Sequence, residues 1–251
     1  MLNLDFAFFA VAVPAVIFAG ISKAGFGSGG AFVSSAILAI LLDPGVALAL
    51  MLPLLMVIDV ATLRPYWGDW NMRAAGVLIA GAVPGVILGA LLFRQADPDL
   101  IRLLIGVISL MFVSWQLARA MGWIQPAKEV LASWVGMVAG LAAGFTSFVS
   151  HAGGPPAAVY LLSRKLSKTE FQATTVLTFN AINAMKVAPY VMLGLFSKDT
   201  VVANLALAPV ALLGAWIGVW AHKMVSERLF FSLTYVLLTI TGIKLIWDAL
   251  T

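Results

Sequence analysis

Long apolar runs alternate with short polar gaps along the whole chain. Residues 74–93, 130–150 and 200–221 are uncharged stretches of 20, 21 and 22 residues. Each is long enough to cross a hydrocarbon core of about 30 Å as a helix. Segments at 46–66, 101–121, 169–195 and 228–249 have the same length and character, interrupted by a few charges. Residues 6–22 form another uncharged run, preceded by Asp5 rather than by basic residues and followed by many equally apolar segments. That run reads as a first membrane helix and not as a leader core. Residues 31–42 and 155–163 are apolar but too short to span alone, and both directly follow glycine-rich breaks.

Comparing the two halves accounts for the short pieces. At an offset of 124, Ala19-Gly20 aligns with Ala143-Gly144, Gly29-Gly30 with Gly153-Gly154, and Pro65-Tyr66 with Pro189-Tyr190. After about five extra residues in the second half, Gly85 and Gly89 match Gly214 and Gly218. The expected fold is therefore all-α: a polytopic membrane bundle of two repeats, residues 1–124 and 125–251, integrated into one transmembrane domain. Each repeat contains a glycine-broken helix, a short helix and three longer helices. Two topologies stay open: the first and short helices form a hairpin, or both cross, for 8–10 membrane helices in all. Either gives an odd number of net crossings per repeat, so the second copy is inverted, as in secondary transporters with broken helices.

Composition sharpens the class. The chain is 62% hydrophobic, carries 15 basic and 11 acidic residues among 251, and has a mean hydropathy of +1.04. A soluble domain is roughly 45–50% apolar and about 25% charged. Cysteine is absent, which removes disulfides, thiolate zinc sites and iron–sulfur clusters, and His151 and His222 alone make no metal cage. The net charge of +4 sits in gaps between apolar runs, with no basic cluster suited to nucleic acid. Arg64, Arg73, Arg119, Lys128, Arg164, Lys165, Lys168, Lys223 and Arg228 fall on one side; Arg94, Arg102 and Lys198 fall on the other. The richer side is expected to be cytoplasmic, with both termini outside. Trp67, Trp70, Trp123 and Trp247 lie near span ends, as an interfacial belt requires. Rows of small residues (Gly81, Gly85, Gly89; Gly136, Gly140, Gly144; Gly214, Gly218) read as close helix packing.

Candidate chemistry centres on the two breaks. Gly20-Ile-Ser-Lys-Ala-Gly-Phe-Gly-Ser-Gly-Gly30 contains a formal Gly-x-Gly-x-x-Gly, but no strand or βαβ unit surrounds it. Its glycines instead break a membrane helix, which is tolerated only where the backbone is buried in protein or lines a cavity. The second break, Gly144 to Pro156, ends in Gly-Gly-Pro-Pro, which suits the first turn of a helix. Two helix starts, at Gly29-Gly30 and Gly153-Gly154, are expected to face each other around a space lined by Ser28, Ser147 and Ser150. Free N–H groups and the positive dipole ends there favour a small anion; the alternative is two tightly packed kinks. Lys23, Asp59, Lys186 and Lys244 are ionisable residues inside apolar runs, each costing roughly 2.5–3.5 kcal/mol at a helix centre. Asn180, Asn183 and Lys186 recur every three residues, on one side of a helix. His151 stands beside the second break. Asp59 is a candidate proton carrier, or else a structural partner of Arg64 or Lys186, and Lys244 is expected to snorkel. No phosphate-binding loop, metalloprotease motif or nucleophile elbow occurs, so no enzyme is expected and no cofactor or metal is called for.

These Gly-Gly breaks, the lysine in the first motif and the duplicated helices resemble the TauE/SafE-type sulfite exporters, also called sulfonate uptake permeases, over nearly the whole chain. The resemblance implies a multi-pass protein of the bacterial inner membrane that transports sulfite or a small organosulfonate. The supporting donors are then Lys23, Ser28, Ser150, His151, Asn180, Asn183 and Lys186 around the two glycine pairs. The expected partners are a small sulfur oxyanion and the lipid bilayer, with a homodimer left open. The rival readings are a cation channel or carrier that uses Asp59 and broken-helix carbonyls, and a membrane enzyme or scaffold.

Overall fold

A computed structural model describes residues 4–26, 30–125, 129–221 and 226–251. Among the described residues there are ten α-helices and no strand. They are α1 Phe6–Ile21, α2 Phe32–Leu41, α3 Pro44–Leu63, α4 Met72–Gln95, α5 Pro98–Ala120, α6 Ser133–Ser150, α7 Gly154–Ser163, α8 Lys168–Met192, α9 Lys198–Ala221 and α10 Glu227–Leu250. Seven are long and apolar enough to cross a membrane: α1 with the turn that extends it, α3, α4, α5, α6, α9 and α10. At 25 residues α8 is longer still, but it carries Glu170, Asn180, Asn183 and Lys186. The ten-residue α2 and α7 reach only about 15 Å and are half-helices.

Helix starts fall into two kinds. Asp5, Asp43, Asn71, Asp97, Ser167 and Ser226 each accept a hydrogen bond from a first-turn backbone N–H, and Ser197 does so for α9. Such caps stabilise a helix end by about 1 kcal/mol. By contrast, α2 begins at Ala31 and α7 at Gly153 with no side-chain cap, although both starts are buried. The start of α6 is also uncapped, but it is exposed.

Glycine sets the helix pairing. Gly81 and Gly85 bring the backbone of α4 onto the Met137 and Leu141 carbonyls of α6, while Gly140 and Gly144 of α6 sit on Leu78 and Ala82 of α4. The same device joins α1 to α9: a Cβ on Gly20 would lie 2.6 Å from Gly214. Without a hydrophobic driving force between helices in lipid, such close backbone approach supplies the packing. Gly20 therefore belongs to a helix interface and does not open the first break. The helix runs on to Ile21 and then widens into one π-helical turn, Ser22–Phe26.

The first helix and half-helix of each half fold back on each other. In the second half, the Leu131 N–H, just before α6, donates to the Ser163 hydroxyl at the end of α7 (3.3 Å), so the hairpin begins and ends on one side. In the first half, Ser34 Oγ of α2 donates to the Ala15 carbonyl of α1 (2.6 Å). Helix α3 packs on both α8 and α9, and α5 on α10. Trp67, Trp123 and Trp247 are exposed at helix ends, as expected of a belt. Lys244 is exposed and ion-pairs with Asp248 one turn on, so its charge is locally balanced.

Candidate functional site

Lys23 lies in the π turn, where one extra residue per turn changes the direction in which side chains point. Its ammonium ion-pairs with Asp59 Oδ1 of α3 and also donates to the Leu55 carbonyl (3.4 Å). The other carboxylate oxygen of Asp59 accepts from Asn183 Nδ2 of α8 at 2.7 Å. Lys23 is 7% exposed and Asp59 1%. The expected partners of Asp59, Arg64 and Lys186, are thus replaced by Lys23. Asp59 and Asn183 lie 124 residues apart in the sequence, so the bond joins the two halves of the chain.

One turn beyond Asn183, the fully buried Lys186 ammonium has three acceptors: the Ser147 carbonyl (3.0 Å), Ser147 Oγ (3.0 Å) and His151 Nδ1 (2.7 Å). His151 ends α6 in the left-handed conformation (φ 57°), uncommon for a residue with a Cβ. Its ring holds it there. Nε2 lies 3.1 Å from the Leu48 carbonyl, which only accepts, so Nε2 carries the hydrogen and Nδ1 accepts from Lys186. The buried site between α1, α3, α6 and α8 thus holds two lysines and one carboxylate, with Lys23 on Asp59 and Lys186 on neutral acceptors.

The other expected donors divide. The Ser150 hydroxyl donates to Thr146 on its own helix (2.9 Å), while its carbonyl accepts from Ser35 of α2 (3.1 Å). Asn180 is half-buried and makes no hydrogen bond to the cluster. Gly30 is buried so closely that a Cβ would lie 2.7 Å from Ser22 Oγ. A Cβ on Gly153 would lie 2.7 Å from the Ala143 carbonyl and 3.1 Å from the Ser147 side chain, so the start of α7 lies directly behind the Lys186 cluster. Gly154 opens α7. Ser28, Gly29 and His222 lie outside the described residues.

The start of α2 meets the second break. Phe32 and Val33, at the start of α2, share a buried apolar cluster with Ala152 of the second break. The start of α7 lines a cavity: Gly154 and Pro155 border about 130 Å³ together with Phe26, Arg119, Thr175 and Phe231. An outer cavity of about 460 Å³ includes Gly25, Tyr66, Lys168, Thr169 and Gln172. Gln172 Nε2 also donates to the Lys23 carbonyl (3.2 Å), filling a backbone acceptor at the π turn. Gln172, Gln116 and Arg119 went unnoticed as site residues in the sequence, because each lies near the polar end of a span where such residues are ordinary. Another cavity, about 740 Å³ between α4 and α8 at Arg94, is walled by Ile87, Leu91, Phe93 and Met192 and contains no member of the cluster. Ser147 and Lys186 also resemble a nucleophile–base pair, but Ser147 is 2% exposed and lines none of these cavities.

Helices long and apolar enough to cross a membrane, paired half-helices and a buried charged cluster at their junction fit a membrane transporter. The chain belongs to the TauE/SafE sulfite exporter family, whose model matches residues 12–245. It is accordingly a multi-pass transporter of the inner membrane, in a family that exports sulfite. No curated protein and no solved structure matches the chain.

Proposed function

We propose that this protein exports sulfite or a small organosulfonate from the cytoplasm by alternating access. The anion is held between the buried helix starts and the cluster of Lys23, Asn183, Lys186 and His151. The observation that carries this reading is the imbalance of two buried lysines against one buried carboxylate. A buried lysine with only neutral acceptors carries its charge at high cost inside a membrane protein, and an arriving anion offsets that cost. The uncapped N–H groups of α2 and α7 add positive potential at the two buried helix starts.

Inversion of the two halves is supported by the hairpins, which leave three net crossings per half, and by the crossed pairing of α4 with α6 and α1 with α9. Rocking of one half against the other around a fixed central site follows from that arrangement. The cation reading is disfavoured because both oxygens of Asp59 are engaged, by Lys23 and Asn183. The same engagement makes Asp59 a counter-ion first, and a proton carrier only when Lys23 moves away.

Purified protein in sealed liposomes is expected to move labelled sulfite or ethanesulfonate down a gradient and to leave sodium behind. Lys186→Ala should abolish that flux, and Lys23→Ala should weaken sulfite binding. Sodium flux without anion flux, or unchanged sulfite affinity in both variants, would overturn the assignment. Turnover of a substrate without vectorial movement would favour an enzyme instead.

A further inference from the structure

We infer that Arg119 forms an entrance subsite for the oxyanion, separate from the lysine cluster and reached from the cytoplasm. The inference rests on the export reading above and adds to it the place where the anion first binds. Arg119 stands in the last turn of α5, half-buried, with its guanidinium carbon 5.0 Å from the Trp115 ring centroid. Stacking fixes the plane of the fork and leaves its N–H edges available to sulfonate or sulfite oxygens, which a guanidinium binds bidentately.

The inner and outer cavities share one wall: Phe26, Gln116, Arg119, Ala158, Phe171 and Phe231. They therefore form a funnel, with Lys168 at the wide end and the uncapped start of α7 at the narrow one. Among the described residues no aspartate or glutamate lines either cavity, whereas Arg119 lines both. A cleft of one sign with apolar walls focuses its field and raises the local concentration of the opposite ion. The wide end lies where α3 and α5 finish and α8 begins, the end that the positive-inside count makes cytoplasmic. Gln172 ties the funnel to the cluster, since its side chain both lines the outer cavity and holds the Lys23 carbonyl.

Arg119→Gln is expected to raise the cytoplasmic sulfite concentration for half-maximal flux about ten-fold, with maximal flux changed by less than about two-fold. Arg119→Lys should recover part of the loss. The wild type should lose apparent affinity as salt rises, and Arg119→Gln should show a flatter dependence. Because the chain has no cysteine, Gln116→Cys supplies a single thiol for a second measurement that needs no transport. In inside-out vesicles a sulfonate-bearing thiosulfonate reagent should label it about ten-fold faster than an ammonium-bearing one. Adding Arg119→Gln should erase that preference. Equal labelling rates, or an unchanged half-saturating concentration in Arg119→Gln, would overturn the entrance subsite. If the wild type moves neither sulfur anion, the export reading fails, while the thiol preference still decides whether the funnel attracts anions.

Discussion

Asp59 shows how much one buried carboxylate carries. It neutralises Lys23, accepts from Asn183 and joins α1, α3 and α8 at one point. Asp59→Ala leaves the Lys23 ammonium buried and unpaired, an expected loss of roughly 3–5 kcal/mol, read as a fall in thermal midpoint in detergent. The double variant Lys23→Met, Asp59→Leu should regain most of that stability, because apolar groups of similar size replace a buried pair at little cost. It should still fail to transport sulfite, which separates the structural use of the pair from its use in binding. At this scale the sequence was partly legible: a charge within an apolar run stands out because it is costly there. Its partner was not legible, since Lys23 reaches Asp59 only through the π turn, and nothing in local spacing announces that extra residue.

Among the helices, small residues do two jobs that look alike in the sequence. Gly140 and Gly144 rest on backbone carbonyls of α4, whereas nothing lies within 4 Å of a Cβ added at Gly76 of the same pair. Gly140→Leu should therefore separate α4 from α6 and lower the thermal midpoint sharply. Gly76→Ala should raise stability by about 0.4–1 kcal/mol through the unfolded chain, seen as a small rise in the same midpoint. An equal response at the two positions would mean that the α4–α6 contact does not depend on close backbone approach. Gly20 illustrates the ambiguity: adjacent to a break in sequence, it serves the α9 interface instead. The half-helices were easier to foresee. A run of about ten apolar residues after Gly-Gly cannot span, and Pro155-Pro156 suits only a first turn.

For the molecule as a whole, the hairpins decide topology. If α1–α2 and α6–α7 each return to their own side, both termini lie outside the cytoplasm. A reporter fused after Thr251 should then be active only in the extracytoplasmic compartment, and cytoplasmic activity would reverse the orientation and with it the side on which the Arg119 funnel opens. Gln172 lines the outer cavity and also holds the Lys23 carbonyl, so the wall of the funnel is tied to the buried lysine cluster. A bifunctional thiol reagent bridging Gln116→Cys and Gln172→Cys should therefore stop flux by holding the two walls of the funnel together, and a one-armed reagent of equal size should slow it less.

Length and spacing of apolar runs were enough to determine the membrane class, the helix positions and the two short half-helices, because hydrocarbon thickness and backbone hydrogen bonding allow few other solutions. Which ammonium meets which carboxylate, which helix start borders a cavity, and which glycines are contacts were decided only by tertiary packing. Those outcomes depend on how distant segments share depth and facing direction, and no local pattern in an apolar chain encodes that.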